Sequence, residues 1–125
     1  MRTYGKVLST LWDDEDFMAL PVPARVLDIH FVSGKDVSPA GVLPLTERRW
    51  RRGVDGDAND AGKALSDLEE GRFVVVDDDS AEVWVRAFIR VDDRVSNSKL
   101  RVTVERAVDA VHSAPLRSLA ASELA

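Results

Sequence analysis

The chain has 125 residues, which fits one domain, since two cores would each approach the size at which burial barely offsets chain entropy. With 45% hydrophobic and 31% charged residues it has the material for a core and the charge for solubility, while the absence of cysteine removes disulfides, thiolate zinc sites and cysteine nucleophiles. A formal net charge of -5 excludes a protein that coats nucleic acid indiscriminately, so any DNA contact must come from a local basic patch.

No apolar run approaches the ~20 residues of a membrane-spanning helix, and the amino terminus lacks a basic-then-apolar signal segment; the expectation is a soluble, cytoplasmic protein without a membrane partner. Tyr4 to Leu8 reads as either an edge strand or a docking arm. Leu11 to Leu20 sets apolar anchors on both sides of the solvated run Asp13-Asp14-Glu15-Asp16, which suits a short turn pinned to the core by Trp12, Phe17 and Leu20. Residues 1–21 are thus an amino-terminal arm. From Pro23 onward, Ala24, Leu27 and Phe31 recur at helical spacing, with Pro23 suited to a first turn and Gly34 to the end, which predicts a helix over 22–33.

Ser38 to Gly41 is a loop by composition, and Val42 to Leu45 a very short strand that its proline confines to an edge. Thr46 is a candidate N-cap for a second short helix over 47–53, anchored by Trp50. A turn at 53–56 leads to Asp57, another candidate N-cap, and Ala61, Ala64, Leu65 and Leu68 fall at i, i+3, i+4 and i+7 of a third helix ending at Gly71. Residues 22–71 therefore form a helical core.

Arg72 to Val76 is a β-rich run, Asp77 to Ser80 a turn and Glu82 to Val91 a second strand, giving a hairpin over 72–91. Alternation puts Val83, Val85, Ala87, Ile89 and Val91 on a core face and Trp84, Arg86, Phe88 and Arg90 on the other. After a loop at 92–97, Leu100, Val104, Ala107, Val108 and Val111 make a helical stripe that ends at Pro115. The tail from Leu116 has weak helical character and no closing cap, as a chain cut from a longer protein would end. Helices are expected within 98–125.

The order helix, short strand, helix, glycine-bearing turn, helix, hairpin is that of a winged helix-turn-helix, an α+β fold with a three-helix core and a β-hairpin wing, here with carboxyl-terminal helices added. In that arrangement the third helix is the recognition helix and the hairpin turn is the wing. Arg48, Arg49, Arg51 and Arg52, against the single acid Glu47, form the densest basic patch and suit backbone phosphate. On the third helix the apolar stripe turns Asn59 and Lys63 outward, making them candidates to read base edges or bind phosphate in double-stranded DNA. Arg72 closes that helix within reach of the DNA backbone.

Two features oppose DNA contact: Asp55, Asp57, Asp60, Asp67, Glu69 and Glu70 surround Lys63, and the wing tip is Asp77-Asp78-Asp79, which phosphate repels. The wing is therefore not expected to enter a minor groove. The competing reading of the arginine run is a solvated helix that balances its acidic neighbours. Trp84 and Phe88, large aromatics on an otherwise polar strand face, should lie under the amino-terminal arm or a second copy, which makes them candidates for self-association, as a homodimer, or for partner contact. His30 and His112 stand far apart and read as packing residues, and no acidic run has the spacing of a calcium loop, so no metal or cofactor is expected. No Ser-His-Asp order, phosphate-cradling glycine loop or His-Glu-x-x-His pattern occurs, so the chain is not read as an enzyme.

Four stretches carry a family resemblance: Trp12-x-Asp14-x-x-Phe17-x-x-Leu20-x-x-x-Ala24-Arg25-x-Leu27; Leu65-x-x-Leu68-x-x-x-Arg72; Val83-Trp84-Val85-x-x-Phe88; and Asn97-x-x-Leu100 with His112-Ser113-x-Pro115-Leu116-Arg117. With them the chain resembles the winged-helix amino-terminal domains of phage replication-initiation and replisome-organiser proteins, similar in layout to the DnaD-type primosome domain. The resemblance implies a phage or prophage protein in a bacterial cell that binds origin DNA or a replication or transcription partner, with a further carboxyl portion that recruits helicase or binds single strands. It also implies a shell that serves as an oligomerisation scaffold. The alternative to DNA binding is accordingly a protein-interaction module that keeps the winged-helix scaffold without touching DNA.

Overall fold

The computed structural model describes residues 5–50, 58–91 and 93–125, the side chains of Arg48, Ala58, Asn59, Asp93 and Arg94 excepted. Its class is mixed α+β, with helices and a small three-stranded antiparallel sheet. The chain packs as two compact units, Met1–Lys35 with Thr46–Phe73, and Asp36–Leu45 with Val74–Ala125.

The first unit is helical. Residues 5–8 form no strand; Gly5 lies so close to the end of the following long helix that a Cβ there would stand 2.3 Å from the Ser33 Cα. A 3-10 turn, Ser9–Asp13, leads into α1 (Glu15–Met18). The Asp14 carboxylate accepts the N–H groups of Asp16 at 2.9 Å and Phe17 at 3.2 Å, so part of the acidic run serves as an N-cap beside the positive helix end. Phe17 and Leu20 are buried as expected, but Trp12 is 55% exposed. It meets the Phe17 ring edge-on at 5.7 Å from a turn that buries no residue, so it leans on the core without entering it.

α2 (Val22–Ser33) has Pro23 in its first turn and ends where Gly34 donates its N–H to the His30 carbonyl. Its inner face is Ala24, Leu27, Asp28 and Phe31, and α4 (Ala58–Glu70) packs against it with Ala61, Ala64, Leu65 and Leu68, at the predicted spacing. Burial of each large side chain here stabilises by roughly 1.5–3 kcal/mol. α3 (Glu47–Trp50) is pinned by Trp50, 1% exposed, whose ring crosses that of Phe31 at 4.7 Å between centroids. The predicted continuation of this helix to residue 53, the turn at 53–56 and the Asp57 cap lie outside the described residues.

α4 ends at Glu70, one residue before the predicted end at Gly71, but its left-handed residue falls after the glycine. The left-handed position is Arg72, at φ 64°, with the Arg72 N–H donating to the Glu69 carbonyl at 3.1 Å and the Phe73 N–H to the Leu68 carbonyl at 2.9 Å. This pair of bonds is a Schellman stop, which satisfies two orphan carbonyls. It also takes Arg72 and Phe73 out of the predicted strand.

In the second unit, β1 (Val42–Pro44), β2 (Val74–Asp77) and β3 (Glu82–Val85) pair in the order β1-β3-β2, with Val42 opposite Trp84 and Val74 opposite Val85. Pro44 is tolerated because β1 is an edge. The hairpin turn closes with Ala81 at φ 55°. β3 stops at Val85, six residues short of the predicted end at Val91: beyond it the chain turns helically, the Phe88 N–H donating to the Val85 carbonyl and that of Val91 to the Ala87 carbonyl. The same residues satisfy helical spacing, so Val85 and Ile89 are both buried at i and i+4 whereas Ala87 and Val91, predicted on the core face, are exposed.

α5 (Ser98–Asp109) is capped by Asn97, whose side chain accepts from the N–H groups of Lys99 and Leu100. It buries Val104 and Val108 but leaves Leu100 exposed, contrary to the predicted stripe. The break falls at Asp109 rather than Pro115, because Pro115 starts a further helix, α6 (Ala114–Ser122), with Ser113 as its N-cap. The tail is thus a capped helix that buries Leu116 and Ala120. No helix among the described residues is long and apolar enough to cross a membrane.

Candidate nucleic-acid interface

Arg49 is exposed on α3 beside the buried Trp50. The side chains of Arg48 and Asn59, and the whole of Arg51 and Arg52, lie outside the described residues. Glu47 reaches toward α4, its Oε2 standing 3.8 Å from where a Cβ on Gly62 would be, so Gly62 is the point at which α3 comes close. Lys63 is exposed and its ammonium lies 3.2 Å from Asp67 Oδ2, a single turn along the same helix. That pairing, with Asp60, Glu69 and Glu70 also exposed, makes the outer face of α4 predominantly anionic. Arg72 is exposed, and its backbone serves the helix stop described above.

The wing-tip acids are not equivalent. Asp78 and Asp79 are exposed, whereas Asp77 accepts a hydrogen bond from the Ser113 hydroxyl and another from its own turn, the Asp79 N–H at 3.0 Å. The Ser113 hydroxyl above all holds the Asp77 carboxyl below the usual carboxylate range. Directly opposite Asp77 in the ladder is Glu82, whose two oxygens accept the backbone N–H groups of Ser113 at 2.7 Å and His112 at 3.3 Å. The turn end of the hairpin is therefore tied to the start of α6 by two carboxylates, which satisfy donors at that helix start.

The aromatic pair expected at a surface is placed differently. Trp84 is 2% exposed and sits in one cluster with Val104 and Val108 of α5 and Leu116 and Ala120 of α6. The cover predicted to come from the amino-terminal arm or a second copy is supplied by these helices, because β3 is buried on both faces and Trp84 takes the side toward them. Its indole N–H has no hydrogen-bond partner among the described residues. Phe88 is half-buried and lies against Gly41, which at φ 81° and with the Phe88 Cβ 2.6 Å from any added methyl admits no side chain. Neither aromatic offers the open face that self-association through them requires.

One buried titratable group went unnoticed in the sequence. Asp28 lies on the inner face of α2, and burial first, then the nearby charge of Asp14, push its carboxyl up to about 6. Its position one residue after Leu27 and three before Phe31 was the available signal. His30 and His112 are both exposed, and among the described residues no three His, Asp or Glu side chains come together as a metal site. Comparison with protein-family models, curated proteins and solved structures finds no match.

Proposed function

We propose that the chain is a non-enzymatic winged-helix protein that binds double-stranded DNA through the arginines of α3 and the residues just after it, in phage or prophage replication or gene control. The observation that carries the reading is the pairing of a fully buried Trp50 with an exposed Arg49 on one short helix. A helix fixed from behind by an aromatic holds the cation on its outer side in place, which suits contact with a phosphate better than a free loop does. The element order supports the same reading, since a short strand between the first two core helices joins the hairpin as its third strand. α4 contributes less than a recognition helix ordinarily would: its one lysine already faces Asp67, so sequence discrimination by this helix is expected to be weak.

The test is anisotropy of a labelled duplex titrated with the full chain over a range of salt. Affinity should fall steeply with salt, and Arg48→Ala/Arg49→Ala should weaken binding while reducing the slope of log K against log salt by about 1 per lost phosphate contact. Unaltered affinity in that variant and in Arg51→Ala/Arg52→Ala would overturn the assignment. The second reading, a protein-interaction module on the same scaffold, is favoured by the acidic outer face of α4 and predicts no salt-dependent duplex binding.

A further inference from the structure

Among the described residues of the first unit, exposed apolar side chains gather near its amino-terminal turn. Trp12 and Met18 are 55% and 43% exposed, and Val22 and Val26, one helical turn apart on α2, are 59% and 38% exposed. Arg25 joins the two groups: its guanidinium touches the Met18 sulfur at 3.8 Å and its Nε donates to the Leu20 carbonyl, on the side of α2 that also carries Val22 and Val26. Exposed apolar clusters of this kind mark interaction surfaces. Interleaved with them are the exposed carboxylates of Asp13, Glu15 and Asp16.

We propose that this surface docks a cationic amphipathic helix of another protein, with its apolar side chains against Trp12, Met18 and Val22 and its lysines or arginines on Asp13, Glu15 and Asp16. The charge selects the class of partner. Nucleic acid and anionic lipid surfaces are repelled by three exposed carboxylates that lie within four residues of Trp12 and outnumber the one guanidinium there, Arg25. A second copy meeting this face by two-fold symmetry would set the same acids against one another. A helix with an apolar stripe and basic flanks satisfies both halves of the surface, in the helix-in-groove manner that reads anchors at i, i+3, i+4 and i+7. This surface is separate from the arginines of α3 and does not depend on the DNA reading.

The chain supplies its own reporter. Trp50 and Trp84 are buried, so Trp12 is the indole open to quencher. The probe is a synthetic amphipathic helix with leucine at the stripe positions and lysine elsewhere, beside a control in which every lysine is glutamate. Titration into the full chain should shift Trp12 emission to the blue and protect it from acrylamide, and binding should weaken with salt. Asp13→Asn/Glu15→Gln/Asp16→Asn should weaken it at least tenfold with Trp12 in place, and Trp12→Ala, read by calorimetry because it removes the reporter, should abolish it. Equal binding of the glutamate control, or no effect of the charge variant, overturns the proposal. So does a free chain whose Trp12 is already shielded from acrylamide, whether by other parts of the chain or by self-association seen in sedimentation.

Discussion

Both units are built on apolar cores, and what differs between them is what their carboxyl groups do. The first packs apolar helix faces around the Phe31–Trp50 crossing and buries a carboxyl, Asp28, that would rather be neutral. The second ties its elements with polar clasps: Glu82 and Asp77 at the start of α6, and Arg90 held bidentately by Glu123, its Nη2 2.6 Å from Oε1. Acid should therefore act on them in opposite senses, which a chain read by net charge alone would not suggest.

The largest effect is expected at Asp28. Its folded pKa, about 6, lies above the ordinary value of 3.8, so its favourable contribution is complete below that ordinary value and is lost as pH rises through about 6. A shift of this size corresponds to about 3 kcal/mol at neutral pH, taken as an upper bound. Asp28→Asn should raise the urea midpoint of the first unit at pH 7 and flatten its dependence between pH 4 and pH 7, read from Trp50 emission with the other tryptophans replaced by phenylalanine. A lower midpoint at pH 7 breaks the contrast at its root.

In the second unit the sign reverses. Asp77 has a depressed pKa, so its contribution is present above the ordinary carboxylate range and disappears as pH falls through the lowered value. Glu82→Ala strips the acceptors from the His112 and Ser113 N–H groups and should cost about 1–3 kcal/mol, read from Trp84 emission. Glu82→Gln, which keeps one acceptor oxygen, should recover part of the loss. If alanine is harmless, the clasp is incidental and the two units differ less than their contacts imply.

The smallest effect sharpens the account of the first unit. Arg72 stands at φ 64° as the left-handed residue of the α4 stop, a conformation that costs an L-residue about 1 kcal/mol relative to glycine. Arg72→Gly should stabilise by up to about that amount in thermal unfolding. Because Arg72 is also a candidate phosphate contact, the same variant that melts higher should bind duplex DNA less well if the guanidinium is used.

Helices with one dominant period were legible before any coordinates: Ala24, Leu27 and Phe31, and Ala61, Ala64, Leu65 and Leu68, lie where their spacing put them. Residues satisfying two periods at once were misread. Val85 to Val91 alternates like a strand and also repeats like a helix, and the turn prevailed because it buries Ile89 against the α5 and α6 side chains. Pro115 was read as a stop because proline ends helices and starts them equally well; Ser113, two residues before it, was the deciding clue. Trp12 and Trp84 exchanged expected roles, since hydrophobicity gives the tendency to be covered but not the element that does the covering. Of the candidate DNA residues, Arg49, Lys63 and Arg72 have described side chains at the surface, and the carboxylate facing Lys63, four residues along, was there to be read.

The short edge strand has a bearing on synthesis. Asp36–Leu45 belongs to the second unit although the stretches on both sides of it belong to the first, so no single cut releases either unit whole. On the ribosome β1 emerges well before β3, and its backbone donors and acceptors wait for a ladder that closes only after Val85 has been made. Three residues tipped with proline offer little to a stray strand from a neighbouring nascent chain, so the delay carries a small hazard of mispairing.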